Sequence, residues 1–74
     1  MIDILVIGRA IRKKRNVLGI SQIRLRNDTG VSQQVISKIE CGIAANVGVK
    51  TLDKIAEGLG LKLSELIAKA ENHD

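Results

Sequence analysis

The chain has 74 residues, a formal charge of +4 from 12 Lys/Arg against 8 Asp/Glu, no Pro, Phe, Tyr or Trp, and a single cysteine. Such a length makes one domain, residues 1–74, with a small core that buries about 60% of the unfolded surface and profits from dimerisation. Without aromatics it lacks the stacking platforms that bind single-stranded nucleic acid and the walls of a deep ligand pocket, so no small-molecule ligand or cofactor is expected.

Cys41, alone, leaves no internal disulfide and no cysteine-based zinc site; no metal is expected, and a reducing, cytoplasmic compartment fits. The charge is unevenly spread. Residues 1–26 hold seven basic side chains against Asp3, whereas residues 27–74 hold five basic and seven acidic. A basic first third on a small domain is the footprint of a polyanion binder.

In chain order, Ile4, Ile7, Ile11 and Leu18 fall at helical spacing with Ala10 on the same face. Helix 1 is expected over about 3–18, capped by Asp3 and ended by Gly19, with Gly8 inside it costing about 1 kcal/mol relative to Ala. A competing reading makes residues 2–7 a short strand and starts the helix after Gly8. Arg9, Arg12, Lys13 and Lys14 lie on the solvent side. The apolar start MIDILVI has no basic n-region and no cleavage site, so neither a signal peptide nor a membrane span is expected.

Residues 21–40, SQIRLRNDTGVSQQVISKIE, read as helix, tight turn, helix. Ser21 caps helix 2 (about 21–28), Gly30 supplies the turn, and Ser32 caps helix 3 (about 32–41). Two short helices joined by a Gly turn form the helix-turn-helix whose second helix enters the DNA major groove. Ile36 and Ile39 share an inward face with Val31. Gln33, Gln34, Ser37 and Lys38 share the outward face. Gln can bond adenine through two atoms, and Lys can reach guanine or a phosphate.

The loop 41–49 holds two glycines and no charge. Helix 4 (about 49–59) turns Leu52, Ile55, Ala56 and Leu59 inward and ends at Gly58 and Gly60. Leu61 and Leu63 lead to Ser64, read as the cap of helix 5 (about 64–70). That helix has Glu65 in its first turn and buries Leu66 and Ile67. The tail 71–74 is expected to fray. Five short helices make an all-α domain. No enzyme is expected: His73 sits in the tail, Cys41 has no histidine partner, and neither a Ser–His–acid set nor a phosphate loop occurs.

Together these residues resemble the lambdoid phage repressor and Cro family of helix-turn-helix domains, also called the Xre family. The match rests on Ile11-Arg12, Arg15, Leu18-Gly19-Ile20-Ser21-Gln22, Leu25, Thr29-Gly30-Val31-Ser32, Ile36, Ile39-Glu40 and Gly42. It continues through Thr51-Leu52, Ile55-Ala56, Leu59-Gly60-Leu61 and Leu63-Ser64-Glu65-Leu66, covering about residues 8–67.

The resemblance implies a compact five-helix lambda-repressor-like fold, with Gln33, Gln34, Ser37 and Lys38 reading bases. It assigns Gln22 to a DNA phosphate and to bracing the reading helix, and puts Ser32 at a neighbouring groove-facing position. Ser32, and Arg12 through its charge, are expected at the DNA backbone. Arg15 and Glu40 match a structural ion pair. Three features depart from the pattern. Arg26 stands where a small residue is usual, and it must either snorkel outward or splay the two helices. The loop after helix 3 carries no Lys or Arg, which leaves phosphate contact there to backbone N–H groups and Asn46. Ile43, Ala44, Ala45 and Val47 make that loop apolar, which suggests a dimer or partner face.

The expected function is a sequence-specific regulator of transcription, a repressor binding double-stranded DNA as a homodimer on a pseudopalindromic operator. Two other readings are an antitoxin that binds a toxin protein and represses its own operon, and a restriction-modification controller.

Overall fold

The computed structural model describes residues 3–72. Five helices follow one another: α1 Ile4–Leu18, α2 Gln22–Thr29, α3 Gln33–Glu40, α4 Val49–Gly58 and α5 Leu63–Glu71. There is no strand among the described residues, and none of their helices is long and apolar enough to cross a membrane. The strand reading of residues 2–7 is therefore corrected: Ile4–Ile7 is the first turn of α1, while Met1, Ile2, His73 and Asp74 lie outside the described residues.

Local chemistry sets the ends of the first three helices. The Asp3 carboxylate accepts from Leu5 N–H, the Ser21 hydroxyl from Arg24 N–H, and the Ser32 hydroxyl from Val35 N–H. Each satisfies a donor that has no partner inside its helix. Gly19 and Gly30 end α1 and α2 in the left-handed conformation at φ 70° and 77°, where a Cβ would be strained.

Helix α5 starts differently from the expectation. Ser64 is not its cap. Lys62 occupies the cap position without a side-chain bond to the helix, and Glu65 reaches back to accept from Lys62 N–H at 2.8 Å. Starting one residue earlier lets half-buried Leu63 pack against the core from the first turn.

Ile7, Ile11, Leu25, Val31, Ile36, Ile39, Ile55, Ala56, Leu59, Leu66 and Ala70 form one core reached by all five helices. Two apolar expectations fail. Leu18, the last residue of α1, remains 46% exposed, and Ile67 is only half-buried. Gly8 is buried where α1 crosses α3, and a Cβ there would overlap the Ile39 carbonyl. The glycine that weakens α1 as an isolated helix thus allows α3 to seat closely on it. Arg26 is exposed, and its guanidinium donates to Asn27 Oδ1 at 3.2 and 3.0 Å. It turns outward without taking space between α2 and α3.

Candidate nucleic-acid interface

Helix α3 is divided lengthwise. Ile36 and Ile39 are fully buried, while Gln33, Gln34 and Lys38 are exposed and Ser37 is half-buried beside them. The exposed side presents two amides, a hydroxyl and an ammonium, all able to donate hydrogen bonds. Its entry is held by Ser32 and by Thr29, whose hydroxyl donates to the Leu25 carbonyl at 2.7 Å and accepts from Val31 N–H at 3.1 Å.

The other end of α3 is fixed by Glu40, whose side chain is only 3% exposed. Arg15 grips it with two bonds: Nε to Oε2 and Nη2 to Oε1, both 2.9 Å. The remaining Nη1 donates to the Ile20 carbonyl at 3.0 Å, so one guanidinium ties α1, the α1–α2 loop and α3 together. Gln22, the first residue of α2, donates from Nε2 to Glu40 Oε1 at 3.2 Å.

The fork geometry makes this pair directional as well as attractive. It raises the Arg15 pKa above its ordinary value. The hydrogen bond to Glu40 is the main cause, burial opposes it, and charge attraction to Glu40 adds to it. An amide nitrogen has two hydrogens, so Gln22 holds Glu40 with one and keeps the second for another acceptor.

The remaining sequence assignments lie apart from this knot. Arg12 is exposed on α1, one turn before Arg15. Asn46 is exposed in the α3–α4 loop in the left-handed conformation at φ 56°, which Asn tolerates better than most residues. Ile43, Ala44, Ala45 and Val47 line one hollow but differ in burial. Ala44 and Val47 pack against the core, whereas Ile43 is 70% exposed and Ala45 is exposed. Ile43 lines one hollow with Val35 and Lys38, so it sits beside the polar side of α3. Sequence reasoning missed Val35. Its place beside the buried stripe gave no signal that the loop would leave it partly open.

A compact set of helices that projects a polar helix from a capped turn is a helix-turn-helix arrangement. The chain belongs to the helix-turn-helix family, whose model matches residues 11–66. It is 41% identical over 61 residues to the HTH-type transcriptional regulator SlrR of Bacillus subtilis (strain 168), a match over 82% of this chain and 40% of that protein. The chain therefore spans less than half the length of this relative.

Among solved structures, the restriction-modification controller protein C.AhdI from Aeromonas hydrophila is similar with a TM-score of 0.80 and 28% identity, over 86% of this chain and 96% of that one. The clp gene regulator ClgR from Corynebacterium glutamicum shares the fold, with a TM-score of 0.87 at 22% identity, over 97% of this chain and 76% of that one.

Proposed function

We propose that the chain regulates transcription as a homodimer that reads a pseudopalindromic operator through α3 in the major groove. The observation that carries this reading is the lengthwise division of α3. Its apolar stripe is consumed by the core, and its polar side is left outward on a helix locked at both ends. Gln33 and Gln34 discriminate bases, with Ser37 and Lys38 behind them. Gln22, Ser32, Arg12 and Asn46 position the domain on phosphates. Phosphate contacts fix register, and base-edge contacts carry sequence. Ile43 and Ala45 keep the exposure that a partner contact needs; Ala44 and Val47 are already half-buried within the domain.

The likeness to C.AhdI extends over nearly the whole of both chains and favours a controller-type regulator over an antitoxin reading. The test is selection of bound sites from random duplex DNA at near-physiological salt. The expected result is a two-fold site with half-sites one helical turn apart. Binding without enrichment would reduce the protein to a general polyanion binder and overturn the assignment of Gln33 and Gln34.

A further inference from the structure

Helix α1 carries a charged face on the side away from α3. Gly8 and Arg15 face α3, through the Ile39 carbonyl and Glu40. Arg9, Lys13 and Val17, with Ala10 and Lys14 beside them, lie roughly half a turn away around the same helix. There they line a groove of about 620 Å³ against Ala68 and Lys69 of α5. Its rim carries Arg9, Lys14 and Lys69, none of the described residues that line it is acidic, and its floor is apolar, with Val17 72% exposed. Arg9 and Lys13 also line a shallow hollow with Arg12, so the test below separates a protein partner from DNA.

We propose that the α1–α5 groove docks an acidic amphipathic helix of a partner protein. An apolar floor between cationic walls complements a helix with a small apolar stripe flanked by Glu or Asp. Opposite charges steer the encounter, and the floor supplies the contact. A second copy of this chain presenting the same groove would bring like charges together, which disfavours a symmetric dimer through this face. The stretch of α1 from Arg9 to Val17 matches about two turns of a docked helix.

The experiment uses the full chain and two synthetic peptides of equal composition. One has Leu and Ala on one helical face with Glu beside them; the other has that order scrambled. Amide chemical shifts and fluorescence anisotropy are recorded with each peptide and with a random-sequence duplex. The expected result is tighter binding of the patterned peptide, with shifts at Arg9, Val17 and Lys69. The exposed double variant Arg9→Glu/Lys69→Glu should weaken it about tenfold or more, while specific duplex affinity, compared at salt high enough to screen the change in net charge, falls far less. Equal binding of the scrambled peptide would overturn the proposal, leaving charge alone as the cause. Duplex-induced shifts at Arg9 and Lys69 matching those at Gln33 would overturn it in favour of a DNA surface. Concentration-dependent self-association abolished by the double variant would overturn it in favour of a second copy.

Discussion

Glu40 is the residue on which the placement of α3 depends, because one buried carboxylate accepts from both Arg15 and Gln22. Removing it strands a guanidinium whose side chain is only 13% exposed. Glu40→Ala should cost about 3 kcal/mol, the lower part of the range for breaking a buried pair, because Arg15 keeps some access to water. Urea unfolding measures this; a loss within about 0.5 kcal/mol would mean the pair behaves like a surface one.

The pH dependence of this contribution follows from the raised Arg15 pKa. A cation whose folded pKa exceeds its unfolded value contributes fully below the unfolded value and loses that contribution only as pH rises through the folded one. The contribution of Arg15 to stability is therefore flat from neutral pH well into the alkaline range. On the reading face, Gln33→Ala should relax preference at one base pair by about 1–3 kcal/mol. Arg12→Ala should weaken every sequence alike and lower the salt slope by about 0.9. Equal loss on selected and scrambled duplexes for the Gln33 variant would remove it from the base-reading set.

At the scale of elements, the first three helices were largely legible because their signals are local. Asp3, Ser21 and Ser32 are short oxygen-bearing side chains that need only the next turn of their own helix to bond. Gly19 and Gly30 need only their own φ. The start of α5 was not legible, since the local preference of Ser64 for a cap lost to Leu63, whose burial depends on α1 and α4 arriving from elsewhere in the chain. Leu18 failed for the converse reason: periodicity marks a face, but tertiary packing decides how far along the helix that face is covered. The sequence did not show that Ala44 and Val47 would also pack against the core while lining the same hollow as Ile43 and Ala45.

Gly8 belongs to this scale too. Gly8→Ala adds about 1 kcal/mol of helix propensity. It also forces a methyl into the Ile39 carbonyl, where overpacking costs about 1–3 kcal/mol or more. The expected outcome is a lower melting temperature together with weaker operator binding, because α3 must lift off α1. A stabilised variant would mean that the crossing has slack.

For the whole molecule, the longest extent is 29 Å, close to the roughly 34 Å helical repeat of B-DNA. In the proposed homodimer, two copies abutting along that extent would place their α3 helices in successive major grooves, the arrangement that the selected half-site spacing tests. The overall architecture was legible because an ordered series of weak motifs spans about residues 8–67. The α1–α5 groove was not, because Lys69 lies far from Arg9 in sequence and only packing brings them together.

The same knot of Arg15, Glu40, Gln22 and the Ile20 carbonyl bears on the kinetics of recognition. A helix held at both ends before DNA arrives has already lost its orientational freedom during folding, so that entropy is not lost a second time on binding. Association should then proceed in a single step whose rate follows ionic strength, with no slower rearrangement behind it, and discrimination between operators should reside in how long each complex lasts.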